Sequence, residues 1–158
     1  MLARLQIWLW YAFLLGLFLI VYAVTTNFSV TLVDSDFRLM RPTIDGGTVQ
    51  IMDRRRSTIR SLERDDVICF QIREQDSTER IFGRVLATPR STVSYRDQRL
   101  VVDGHDVADA PNELELLQTN IVVPRDTVFV VFDSPSGRFP LSRRLVRQAD
   151  IVGRVMWK

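Results

Sequence analysis

The chain has 158 residues, 46% of them hydrophobic, with 21 Lys+Arg against 19 Asp+Glu, enough for one modest domain plus one extra element and too short for a multidomain machine. Seven glycines and six prolines are too few for a fibrous or disordered chain, and the single cysteine, Cys69, excludes a disulfide scaffold, a multi-cysteine zinc site or an iron–sulfur cluster. A net charge of +2 argues against a nucleic-acid partner, and every basic residue except Lys158 is arginine.

Charge is absent between Arg4 and Asp34, and Ile7 to Val24 is an unbroken apolar run, close to the roughly 20 residues that cross a bilayer core. Trp8, Trp10 and Tyr11 cluster at its start and Tyr22 lies near its end, where amphipathic rings prefer the headgroup level. The expectation is a short cytoplasmic tail (1–6), a transmembrane helix (7–26) and an extracytoplasmic domain (27–158) in the cell membrane. The competing reading is a cleaved signal peptide with Val21 and Ala23 at the small-residue positions, against which the run exceeds the usual apolar region of about 7–15 residues.

The rest reads as mostly β, a compact sheet or barrel domain. Phe28, Val30 and Leu32 alternate with Ser29 and Thr31 in the period of two of a half-buried strand. Further strands are expected at Thr48–Met52, Val67–Ile72, Ile81–Ala87, Thr92–Tyr95, Arg99–Val102, Asn120–Val123, Thr127–Phe132 and Ile151–Trp157. Turn-forming residues separate them, among them Asp45-Gly46-Gly47, Thr88-Pro89, Asp103-Gly104 and Pro124-Arg125-Asp126. Glu113–Gln118 reads as one helical turn. The charged stretch from Arg54-Arg55-Arg56 to Arg64 reads as a solvated loop, with an anion or lipid-headgroup site as the alternative. Cys69 sits in an apolar run and reads as a buried inert thiol. Asp65, Asp66, Asp103, Asp106 and Asp133 are carboxylates at turns without ligand-like spacing, so neither a metal nor another cofactor is expected.

The order of segments resembles that of type I signal peptidases, membrane-anchored serine proteases. In that family the catalytic serine precedes Met-x-Pro-Thr; here the string is Leu39-Met40-Arg41-Pro42-Thr43, with Gly47 following. The family's Gly-Asp-x-Val-x-Phe stretch is matched by Asp66-Val67-Ile68-Cys69-Phe70. Its lysine block, Lys-Arg-Val and then Leu-Pro-Gly-Asp, is matched by Gly83-Arg84-Val85 and Thr88-Pro89. Asp103-Gly104 stands for an Asn-Gly, and Val123-Pro124, Phe132-Asp133-Ser134, Ser142-Arg143 and Val152–Val155 stand for the last blocks. The resemblance implies that Thr43, Gly47, Asp66, Arg84, Pro89, Asp133, Ser142 and Arg143 are framework positions.

The resemblance also implies a Ser/Lys dyad, in which a lysine made neutral by burial takes the serine proton. The two positions here are Leu39 and Gly83. Leucine has no nucleophilic atom, glycine has no side chain, and the neighbouring Arg84 holds its proton at any working pH. The sole histidine, His105, follows the Asp103-Gly104 turn and reads as a polar turn residue. What the family would leave behind is a peptide-binding groove, flanked by the strand that leads to residue 39 and the strand that carries residue 83. Leu39, Met40, Pro42, Phe82, Gly83, Val85 and Phe132 are the candidates to line or adjoin it. The expectation is a signal peptidase-like pseudoenzyme that is not a protease. It would bind an exported protein or pilin and assist assembly alongside a sortase, like the signal-peptidase-like accessory proteins of Gram-positive pilus clusters. A protease with a displaced dyad, or a subunit partnering an active signal peptidase, are the alternatives.

Overall fold

The computed structural model describes residues 2–74, 77–96, 99–107, 120–134 and 143–156. Helix α1 runs from Leu2 to Asn27, so residues expected as a separate tail are helical from Leu2 onward. Trp8–Asn27 is long and apolar enough to cross a membrane, and none of it is buried by the rest of the chain. Its last turn closes on itself. Thr25 and Thr26 hydroxyls donate to the carbonyls of Val21 and Tyr22 at 3.0 and 2.8 Å, and the Asn27 amide to Ala23 at 2.7 Å, which satisfies polar side chains without water.

Strand β1 (Phe28–Leu32) follows with no linker and pairs antiparallel with β2 (Val49–Asp53), from Phe28 opposite Asp53 to Leu32 opposite Val49. After α2 (Arg56–Arg60) come β3 (Val67–Glu74), β4 (Ser77–Ala87), β5 (Thr92–Arg96), β6 (Arg99–Val102), β7 (His105–Val107), β8 (Ile121–Val122), β9 (Thr127–Val131), β10 (Leu145–Arg147) and β11 (Ile151–Val155). They form a seven-stranded sheet, β1-β2-β11-β3-β4-β9-β10, and a four-stranded sheet, β7-β6-β5-β8.

The mostly β expectation therefore holds, with strand ends moved by a few residues. Strand β1 has the expected span but the reverse facing, with Val30 and Leu32 exposed and Ser29 and Thr31 half-buried, and three further elements differ from the sequence reading. The 54–64 stretch contains α2 and is not simply a loop: Thr58 turns inward and Leu62 is buried, while the arginines stay outside. Strand β7 follows the Asp103-Gly104 turn, in which both residues have positive φ (52° and 83°) and Val102 pairs with His105, the twist a two-residue hairpin needs. Strand β10 is three residues held on β9. The helical turn expected at 113–118 lies outside the described residues.

Two apolar clusters lie on the two sides of β9. Val128 and Val130 belong to one, with Met40, Ile44, Met52, Ile68, Phe70, Phe82, Val85 and Phe132. Phe129 and Val131 belong to the other, with Leu86, Val93, Leu100 and Val123. This explains why the β9 sequence is apolar at consecutive positions, since a strand covered on both faces has no solvent side.

Among the buried polar groups, a carboxylate is the most fully engaged. The Asp53 carboxylate, 2% exposed, accepts from Arg55 Nε at 3.0 Å, Arg55 Nη2 at 2.6 Å, the Arg55 backbone N–H at 2.9 Å and Thr58 Oγ1 at 2.9 Å. The Arg55 hydrogen bonds hold its pKa down at about 2, against the opposing effect of burial. A depressed carboxylate stabilises the fold above its unfolded pKa, near 4, and that stability is lost as pH falls through about 2. Asp53→Asn is expected to cost about 2 kcal/mol near neutral pH, and the difference from the unsubstituted chain should vanish between pH 4 and pH 2 in urea unfolding. A constant difference across that window would rule out the ionised carboxylate as its source.

Candidate functional site

The segment between β1 and β2 carries residue 39 and is pinned at its base, where Val33 N–H donates to Thr48 O at 2.9 Å and Gly47 N–H to Val33 O at 3.0 Å. Gly47 has φ +78°, and a Cβ on Gly46 would stand 2.3 Å from the Ser35 carbonyl oxygen. Both turn glycines are thus required by the backbone, one for its left-handed conformation and one for the close approach. From this base the segment crosses to β4 and β9. Phe37 packs edge-on against Phe82, with ring centroids 5.7 Å apart, and Met40 and Ile44 are fully buried. The Leu39 carbonyl accepts the Ser134 N–H at 2.9 Å, and its side chain packs partly buried against the core.

Next to Leu39 the structure brings together three residues from distant parts of the chain. Arg84, on β4, donates from Nε to Asp133 Oδ1 at 2.8 Å and from Nη2 to Asp133 Oδ2 at 2.6 Å. The same Nη2 donates to Thr43 Oγ1 at 2.8 Å, and the Thr43 hydroxyl donates to Asp133 Oδ2. The arrangement is a two-pronged guanidinium–carboxylate pair with a hydroxyl bridging it. It ties the 33–48 segment to β4 and to the residues after β9. The Asp66 carboxylate is engaged elsewhere, accepting the Glu63 N–H at 3.0 Å and pairing with Arg154 at 3.4 Å.

Gly83 is buried in β4 opposite Ile68 of β3. A Cβ there would lie 3.2 Å from the Phe70 ring, 3.4 Å from Val130 Cβ and 3.5 Å from the Val131 carbonyl oxygen. Strand β9 pairs with β4 at Arg84, Val85 and Ala87. The side of β4 preceding Arg84 has no paired strand among the described residues, and β1 is the outer strand of its sheet.

Of the expected groove residues, Met40, Phe82, Val85 and Phe132 are at most 3% exposed. They pack inward as core, because three apolar strands and the crossing segment all need filling from that side. Leu39 and Pro42 are the ones with surface to offer a ligand. Phe132 is covered by the buried Arg144, whose guanidinium carbon lies 5.4 Å from the ring centre. Pro89 is half-buried after β4, Arg143 is exposed, and Ser142 lies outside the described residues. His105 is exposed on β7, in the other sheet. Burial pushes the Cys69 thiol up to about 12, which makes it inert near neutral pH. Among the described residues no cluster of His, Cys, Asp and Glu could hold a metal. Sequence reasoning named Thr43, Arg84 and Asp133 but not their contact, and it missed Phe37 and Arg144. A separation of 90 residues between Thr43 and Asp133 leaves no local signal.

This framework has a counterpart among known proteins: the family model described as "Signal peptidase, peptidase S26" matches residues 7–158. The chain belongs to the peptidase S26 signal peptidase family. Among solved structures, a signal peptidase I from Enterococcus faecalis V583 is similar at 27% identity, with a TM-score of 0.42 over 59% of this chain and 95% of that one. No curated protein matches the chain. Within this S26 member, the apolar α1 is consistent with the membrane anchoring of signal peptidases.

Proposed function

We propose that this S26 protein is a membrane-anchored pseudoenzyme, with its β domain outside the cytoplasmic membrane, that holds an extended exported polypeptide and assists its assembly. The observation that carries the reading is the contrast between framework and reactive positions. Thr43, Arg84 and Asp133 are hydrogen-bonded together, while the two positions the family resemblance assigns to the dyad are Leu39 and Gly83. Neither supplies a nucleophile or a base. The unpaired first half of β4, against which the Leu39 segment packs through Phe37 and Phe82, suits capture of a peptide by strand addition, and an anchor at the start of β1 raises the effective concentration of membrane-emerging chains. A pilin polymerised by a sortase is the specific client we favour.

The full chain in detergent, given a signal-peptide or pilin precursor at equimolar concentration, is expected to release no cleavage product. A photo-reactive residue replacing Pro42 is expected to cross-link to that same precursor. Turnover abolished by a substitution within this chain would overturn the pseudoenzyme reading. Unchanged pilin polymers after gene deletion would overturn the assembly role.

A further inference from the structure

The basic segment after β2 folds back onto the end of the anchor helix. Arg54 N–H donates to the carbonyl of Asn27, the last residue of α1, at 2.8 Å, and the Arg55 guanidinium lies over the Phe28 ring, 5.7 Å from its centre. The twenty residues from Trp8 to Asn27 span about 30 Å as a helix, the thickness of the hydrocarbon core. In a bilayer, Asn27 and the arginines beside it therefore sit at the headgroup level on the domain's side. The last turn of α1 has no basic residue of its own, so the cationic charge at this helix end, where the macrodipole is negative, comes from residues 54–60.

Arg55 is taken up by Asp53, but Arg54, Arg56 and Arg60 are exposed and have no ion-pair partner among the described residues. Arg56 and Arg60 are four apart on α2, hence on one side of it, and with Arg54 they line one open cavity of about 720 Å³. Two carboxylates face the same cavity, Asp126 and Asp150. Asp150 is already paired with Arg147 at 2.9 Å, so the cavity keeps a cationic excess. Guanidinium groups match phosphate geometry with two parallel hydrogen bonds.

We infer that Arg54, Arg56 and Arg60 form a binding site for the phosphate of an anionic phospholipid headgroup at the root of the anchor. The occupant is a lipid because Arg54, which lines the cavity, is hydrogen-bonded through its backbone to the last residue of the apolar helix, and because membrane anionic charge is concentrated at the headgroup level. The inference rests on α1 being a membrane anchor, and goes beyond the client-binding reading, on which it does not depend.

The test is lipid retention by the full chain in detergent, measured by native mass spectrometry with phosphatidylglycerol and, separately, phosphatidylcholine. Phosphatidylglycerol is expected to bind at least about tenfold more tightly, and Arg54→Gln/Arg56→Gln/Arg60→Gln to weaken it on the order of 100-fold, about fivefold per arginine. The circular dichroism of the variant should be unchanged, because these side chains have no partner to lose. Retention equal for both lipids, or equal in the triple variant, overturns the site. Displacement of the lipid by millimolar inorganic phosphate or by a glutamate-rich peptide overturns the lipid as its occupant. A full chain that carbonate strips from membranes overturns the anchor, and the site with it.

Discussion

Arg84→Ala is expected to destabilise the domain by about 3 kcal/mol, the cost of leaving a mostly buried carboxylate without its partner. The side chains of Arg84 and Asp133 are 22% and 14% exposed, so water screens the pair less than it would a surface ion pair. Arg84 also holds Thr43, and it reaches the Asp65 carbonyl at 3.4 Å. Its removal therefore loosens the crossing segment, β4 and the residues after β9 together. For a chain of this size the loss should lower the melting temperature by roughly 6–12 °C. Arg84→Ala with Asp133→Ala should cost clearly less than the sum of the two single changes, with a coupling of about 1–3 kcal/mol. Strict additivity in that cycle would mean that the pair contributes nothing as a pair. Arg84→Lys keeps the charge but loses the two-pronged geometry, and should recover only part of the loss.

Gly46→Ala should be comparably damaging, for a steric reason. The added methyl would meet the Ser35 carbonyl oxygen at 2.3 Å and that of Asp34 at 2.7 Å, and both are backbone atoms that cannot rotate away. The turn must open, and with it the Gly47 to Val33 hydrogen bond at the base of the segment. We expect a loss of about 3 kcal/mol, at the upper end of overpacking costs, and increased hydrogen exchange in residues 33–48. Gly47→Ala is the control. Its site has open space but φ +78°, so only the left-handed penalty of about 1 kcal/mol applies. Equal melting temperatures for the two variants would contradict the steric account.

The spans of the longer strands were legible where apolar residues alternate or run together. The Phe28–Leu32 alternation gives the span of β1 but not its facing, since Val30 and Leu32 are exposed while Ser29 and Thr31 are half-buried, and the apolar run at 127–131 gives β9, although nothing in that run says that each of its faces serves a different core. Strands β7 and β10 are three residues each, too short for a period of two to register. Helix α2 was hidden because its five residues have a single buried side chain, Thr58. The inward turn of Thr58 follows from a hydrogen bond to Asp53, not from apolar patterning. At the site, the family blocks named Thr43, Arg84 and Asp133, which the structure joins by hydrogen bonds. What they could not give was direction. Whether Phe82 or Phe132 faces a ligand or the core depends on how the 33–48 segment crosses the sheet, and a hydrophobic residue reads the same in either case. The arginines at 54–60 show the same limit, because a charge run on paper does not say which other element it will stand beside.

The strand order has a consequence for how the chain is made. Strands β1 and β2 pair with each other, and β3 pairs with β4, but the two hairpins are joined only through β11, which sits between β2 and β3. Residues 151–155 are synthesised after every other strand of the domain. A growing chain that already carries α1 and both hairpins therefore still has unsatisfied edges in the middle of the future sheet. Closure waits on contacts about a hundred residues apart in sequence, such as Val155 with Met52, and contacts of that kind form slowly. Until then the middle of the sheet stays open between β2 and β3, a gap shaped for an extended strand.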